Sequence, residues 1–271
     1  MAGGARRGSS RSAPVHRARW TTLERDLRRT GATLIAGVDE VGRGCLAGPV
    51  VACAIVMPHD KRAIRGVDDS KMLTAIARRR LARVILERAL GVGIGAASAA
   101  EIDRYNIYQA SALAMRRALS RLALTPDQVL VDGRPIRSLR IPHTAVVDGD
   151  DKCFSIACAS IVAKVTRDRL MARLSQRHPG YAWERNCGYA TRSHVAGLNS
   201  LGPTPHHRRS FFRVLAALEA AGAIAADSAL EADSTSVSLA FDAAPELAEP
   251  LALLDDAAAV GSLEPDLELP R

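Results

Sequence analysis

The chain has 271 residues, 48% of them hydrophobic, and carries a formal net charge of +8. That length suffices for one sizeable domain with tails, or two small ones, with a core that needs no disulfide staples. The charge is uneven: residues 1–220 hold 36 Lys+Arg against 18 Asp+Glu, whereas 221–271 hold 11 Asp/Glu and one basic residue, Arg271. A basic body of this kind attracts polyanions, nucleic acid first and anionic membrane second, unless the charge serves only solubility.

In chain order, residues 1–30 read as a basic, disordered arm. Its first 19 residues, rich in Arg, Ser and Ala and free of acid, also match an organelle transit peptide. TLIAGVDE (33–40) and PVVACAIVMP (49–58) are short apolar runs bounded by Gly or Pro and read as buried strands. Thr74 is placed to cap a helix over 75–90, and GVGIGAAS (91–98) reads as a strand weakened by glycine. A helix is predicted over 107–122, strands at QVLVDG (128–133) and TAVVDGD (144–150), and a long helix over 155–174. Strands first, then strands alternating with helices, predict an α/β fold, a mixed sheet flanked by helices, with a small helical part at the C-terminal end. Residues 221–271, acidic and poor in aromatics, lack the apolar content to offset the entropy of ordering and are expected to be disordered.

Five cysteines without CxxC spacing suggest neither a disulfide framework nor a zinc site, and read as reduced thiols of a cytoplasmic protein. No apolar run has the length of a membrane span, and no secretory signal is evident.

The acids fall at strand ends. Asp39 and Glu40 close the first strand, Asp132 the fourth, and Asp148, Asp150 and Asp151 follow the fifth. In an α/β sheet, such ends meet in one crevice. Carboxylates gathered there repel one another unless a cation intervenes, and hard oxygen donors select magnesium or manganese. The plainer reading is that Asp-Gly at 132–133 and 148–149 is turn chemistry. Gly42-Arg43-Gly44 loosely matches a dinucleotide fingerprint, but that motif needs a helix next, and here Pro49 and a β-branched run follow. The glycines better suit close approach of backbone to a ligand, with Arg43 at hand for a phosphate.

DEVGRG with LAGPVV, DSK (69–71), VDG (131–133), GDDKCFSIACASIVAKVTRDRL (149–170) and HPGYAWERNCGYATRSHVAGLNSLGPTPHHRRSF (178–211) together resemble the type 2 ribonucleases H, in particular bacterial ribonuclease HII. The resemblance spans roughly 33–215, which makes 31–220 the expected catalytic domain. It implies a ribonuclease H-like fold and cleavage of the RNA strand of RNA–DNA hybrids, including nicking on the 5′ side of single ribonucleotides in duplex DNA. It also implies four catalytic, metal-holding carboxylates at Asp39, Glu40, Asp132 and Asp150, and two divalent ions, Mg2+ or Mn2+. Gly42, Arg43 and Gly44 fall on the element that senses the ribose 2′-hydroxyl, and Tyr189 on a tyrosine that packs on the sugar across the junction.

The chain departs from the family pattern at Cys45, Cys187, Ala190 and Asp151, where proline, lysine, glycine and serine are usual. None removes a carboxylate. Lys71 suits a phosphate contact or a helix-start turn equally. Arg192, His206, His207, Arg208 and Arg209 form a basic cluster suited to phosphates or simply to solvent. Asp168 is expected to pair at helical spacing with Lys164, Arg167 or another neighbour, and His194, after the helix cap Thr191, to be packed rather than a base. Tyr181, Trp183 and Phe211 read as packing residues. A non-catalytic binder of hybrids is the competing class, but acids facing phosphates serve an enzyme better. A sister family, ribonuclease HIII, needs an N-terminal domain for which a short arm has no room. Ser236–Phe241 faintly resembles sliding-clamp peptides, and the acidic tail could fold back on the basic body. A monomer suffices for all of this.

Overall fold

The computed structural model describes residues 21–67 and 73–220. Five strands form one mixed sheet: β1 (Ile35–Val41), β2 (Val50–Val56), β3 (Gly91–Ala97), β4 (Gln128–Asp132) and β5 (Thr144–Val146), in the order β3-β2-β1-β4-β5. β1, β2 and β3 pair antiparallel, while β4 lies parallel to β1 and β5 parallel to β4. All five expected strands are present, and the mixed sheet flanked by helices is as predicted.

Strand alternation sorts the core into two layers. Val51, Cys53 and Ile55 of β2 pack with helices α2 (Ala75–Arg88) and α5 (Phe154–Arg177). Val50, Ala52, Ala54 and Val56 face α3 (Ala99–Ser120) on the other side. The glycines of β3 let that helix close in: a Cβ at Gly93 or Gly95 would lie 2.0 or 2.1 Å from a carbonyl oxygen of α3.

Thr74 caps α2 as expected, accepting from the Ala77 N–H at 3.2 Å. Helix α3 is longer than the predicted 107–122. Ser98 and Glu101 form a capping box that starts it at Ala99, and Asn106, at φ 65°, breaks it in two. Asn106 Oδ1 then accepts from the Tyr108 and Gln109 N–H groups and starts the second half. The pattern from 107 on reported only that half. Short helices α4 (Gly149–Lys152), α6 (Trp183–Asn186), α7 (Arg192–Leu201) and α8 (Phe212–Ala220) complete the fold; the last three are the helical C-terminal part.

The boundary at residue 30 needs correction. Helix α1 (Thr22–Arg29) lies within the stretch expected to be disordered, and its Glu24 is wholly buried. Glu24 accepts from the N–H groups of Phe154 (3.2 Å) and Ser155 (2.9 Å) and from the Ser155 hydroxyl (2.7 Å). Helix α5 has no side-chain cap of its own. A carboxylate on α1 therefore satisfies its first amides and meets the positive end of its dipole. The rest of the arm and the acidic tail, with the clamp-like residues 236–241, lie outside the described residues.

Candidate active site

β1 and β4 are in register at Val38↔Val131, so the next residues, Asp39 within β1 and Asp132 at the end of β4, come side by side. Val38 and Val131 belong to the core layer against α3, which turns Asp39 and Asp132 toward α5. There the Ser160 side chain hydrogen-bonds Asp39. Asp39 Oδ1 also accepts from the Glu40 N–H at 2.7 Å, and Asp132 Oδ1 from the Gly149 N–H at 2.7 Å. Asp150 directly follows Gly149 in α4 and is partly buried.

Asp39 is 7% exposed. Burial first, then the charges of Glu40 and Asp132, push its carboxyl well above the usual range, opposed by the Ser160 and Glu40 hydrogen bonds. Burial also raises Glu40, against the pull of Arg43, whose Nη1 donates to Glu40 Oε1 at 3.0 Å. The other oxygen, Glu40 Oε2, is buried without a hydrogen-bond partner. Three acids in one desolvated corner, with one oxygen left orphaned, suit a hard divalent cation, which would relieve the repulsion and take the free lone pairs. Among the described residues no group of three or more His, Cys, Asp or Glu side chains stands arranged to hold a metal ion. The fit therefore rests on the electrostatics and on that orphaned oxygen.

Beside the acids runs the loop 42–49. Arg43 and Gly44 are exposed. Gly42 has φ +92°, and a Cβ on it would lie 2.0 Å from Arg167 Nε, whereas one on Gly44 would meet nothing within 4 Å. The two glycines are thus not equivalent: substitution of Gly42 strikes packing, and only Gly44 offers open approach. Tyr189, 42% exposed, reaches the loop through a hydrogen bond with the buried Cys45 thiol, and burial followed by Cys45 raises its phenol above the ordinary value. Arg192 is exposed at the start of α7, near in sequence to Tyr189. Lys71 lies outside the described residues.

The expected basic cluster does not form one patch, because His207 and Arg208 are buried. Arg208 donates to the carbonyls of Gly42, Arg43 and Gly48, and the equally buried Arg167 to those of Ala47, Pro49 and Cys187. Both arginines serve the loop from beneath and had been missed as site-builders. Arg167 left a readable trace, standing four residues from Ala163 and from Met171 on the buried stripe of α5. Arg208 sits in a loop with no period to betray it. Asp168 pairs with Lys164 at 2.6 Å, as foreseen, and with Arg78 at 3.6 Å rather than with Arg167. The Cys187 thiol hydrogen-bonds Asp168, and burial, then Asp168, pushes it up to about 11.

His194 is packed, as expected. Its Nε2 accepts from Trp183 Nε1 at 2.9 Å and faces His207 Nε2 at 3.1 Å, while its Nδ1 bonds the Tyr189 carbonyl at 2.9 Å. The Thr204 N–H donates to His207 Nδ1 at 2.9 Å, so that nitrogen carries no proton. Burial, then the neighbouring histidines, depresses His207 to about 3; burial, then His178 and Arg177, depresses His206 to about 4. Below the ordinary value of 6.5 the unfolded chain binds protons that these folded rings refuse, so stability is lost as pH falls from about 6.5 toward 4. Melting curves between pH 7 and 4 are expected to show this decline; a flat profile down to pH 4 would contradict it.

Comparison with known proteins agrees with this fold. The family model described as Ribonuclease HII matches residues 36–214. The ribonuclease HII of Granulibacter bethesdensis is 56% identical over 189 residues, 68% of this chain and 86% of that protein. That of Thermosynechococcus vestitus is 52% identical, covering 70% of this chain and 89% of its own length. Among solved structures, the ribonuclease H2 of Pyrococcus horikoshii superposes with a TM-score of 0.60 at 27% identity, over 69% of this chain and 98% of that one. The chain therefore belongs to the ribonuclease HII family, endonucleases that act on the RNA strand of RNA–DNA hybrids.

Proposed function

We propose that this ribonuclease H also nicks duplex DNA on the 5′ side of a single embedded ribonucleotide, leaving 3′-hydroxyl and 5′-phosphate ends. The observation that carries the reading is the shared, desolvated corner of Asp39, Glu40 and Asp132, with its orphaned Glu40 oxygen, beside the exposed turn at 43–44. In this reading Asp39, Glu40, Asp132 and Asp150 hold two divalent ions, Mg2+ or Mn2+. Such ions, when bound, lower the pKa of a water and neutralise charge on the leaving oxygen. The chain's own residues do the rest. The 42–44 backbone meets the ribose 2′-hydroxyl, which distinguishes RNA from DNA whatever the base. Tyr189 packs on the neighbouring sugar, and Arg43, Lys71 and Arg192 face phosphates.

A single copy carries every residue of the site, which supports a monomer, and free thiols at all five cysteines support a cytoplasmic setting. No helix among the described residues is long and apolar enough to cross a membrane. A solved relative from Archaeoglobus fulgidus, 25% identical with a TM-score of 0.56, is described as a PCNA:RNase HII complex. Contact of this chain with a sliding clamp through 236–241 is carried as part of the proposal.

The test is an end-labelled DNA duplex containing one ribonucleotide, incubated with Mg2+, with Mn2+ and with chelator. Metal-dependent nicking on the 5′ side of the ribonucleotide is expected. Tight binding without nicking in either metal would refute cleavage at single ribonucleotides.

A further inference from the structure

We infer that Arg208 is a positioning residue that gives the 42–44 turn its selectivity for ribose, by fixing which way the peptide planes of the turn face. This rests on the proposal that the turn meets the 2′-hydroxyl. The guanidinium is fully buried and forks into the loop from below: Nη1 donates to the Arg43 carbonyl at 2.7 Å, Nη2 to the Gly42 and Gly48 carbonyls at 2.5 and 2.9 Å, and Nε to Gly48 at 3.0 Å. No peptide among the described residues is cis. In a trans peptide the carbonyl and the next N–H point in opposite directions. Drawing the Gly42 and Arg43 carbonyls inward therefore turns the N–H groups of Arg43 and Gly44 outward, onto the exposed side where a Cβ at Gly44 meets nothing within 4 Å.

The rest of the loop is used differently. The Leu46 N–H donates to the Gly188 carbonyl and the Gly48 N–H to the His206 carbonyl, each at 2.8 Å. After the inward Gly48 carbonyl comes Pro49, which has no N–H to strand. The loop thus presents two adjacent donors at 43–44 while it is pinned elsewhere, the pattern that recognises a hydroxyl or a phosphate oxygen. Burial depresses the Arg208 guanidinium to about 10, which still leaves it cationic at neutral pH beneath those donors. Lysine cannot reproduce the fork, because one nitrogen replaces three in a fixed plane.

The experiment uses the full chain with Arg208→Lys and two duplexes that differ only by one 2′-hydroxyl, with binding measured in chelator and cleavage in Mg2+. The ribose preference in binding is expected to fall about tenfold, the worth of one well-made hydrogen bond. Affinity for the all-DNA duplex and the midpoint of the Mg2+ titration should hold. Without any substrate, hydrogen exchange should speed up at the Leu46 and Gly48 amides. Equal loss on both duplexes, or an unchanged preference, overturns the inference, since a merely structural arginine would give one of those. A wild-type chain that binds both duplexes equally sinks the ribose reading itself, whereas a wild-type preference that survives in the variant sinks only the role of Arg208. Should Arg208→Lys fail to fold, Asp103→Asn serves. Asp103 fixes the next two residues by accepting from the Arg209 and Ser210 N–H groups at 2.8 and 2.9 Å, so the same preference must fall in that variant; if it does not, the inference is overturned.

Discussion

Asp39→Asn is expected to abolish cleavage and, in the same protein, to make the metal-free chain more stable. Burial and the adjacent Glu40 and Asp132 push the Asp39 carboxyl upward, so the folded chain holds its proton more tightly than the unfolded one. At pH values above the ordinary 3.8, ionising Asp39 therefore works against the fold, and the amide removes that cost while keeping the shape and an acceptor for the Glu40 N–H. In chelator the variant should melt above wild type, and the gap should widen as pH rises from about 4. Added Mg2+ should raise the wild-type midpoint by mass action and the variant's less. Cleavage should fall on the order of a thousandfold or more, because charge stabilisation by placed metal supplies most of the rate. A variant less stable than wild type in chelator, or one that still cuts, would refute the reading of this corner as a metal site held at a cost to the fold.

Gly37→Ala is expected to damage stability and activity together. A Cβ on Gly37 would lie 2.2 Å from the Ser155 carbonyl carbon and 2.5 Å from the Ile156 nitrogen, all backbone atoms of α5 that cannot swing aside. The helix would have to lift from β1, taking Ser160 from Asp39 and straining the Glu24 contacts at 154–155. Overpacking of this sort costs about 1–3 kcal/mol, and each kcal/mol lowers the midpoint of a domain this size by roughly 2–4 °C. Turnover should fall at saturating substrate. Gly44→Ala, with open space around it, is the control and should melt within about 0.5 kcal/mol of wild type. Equal melting of the two variants would show that α5 does not need its close seat on β1.

Much of this was legible beforehand, because the period of the apolar residues reports what packs. The strand ends carrying Asp39, Glu40 and Asp132 followed from runs of β-branched residues broken by acids, and the parallel pairing of β1 with β4 then set two of these acids side by side. The Thr74 and Thr191 caps were read from local chemistry, and both accept the expected N–H. What escaped was long-range and polar. Arg208 and Glu24 find their partners 166 and 130 residues away, and no local pattern announces such contacts. Charge also misled: a basic run at 206–209 suggested an exposed patch, yet carbonyls that need donors drew Arg208 inside. The first half of α3 was readable in the Ser98–Glu101 capping box, but Asn106 interrupts the stripe that would have extended it.

The tie between Glu24 and the start of α5 bears on how the chain is made. During synthesis α1 leaves the ribosome early with a carboxylate whose partners, Phe154 and Ser155, do not yet exist. The carboxylate can find them only after 130 further residues have been added, and closing that loop draws the first helix onto an element beyond all five strands. The nascent N-terminal half therefore lacks the amides that satisfy Glu24 in the finished fold. The buried seat of α1 and the satisfied first turn of α5 are thus completed together.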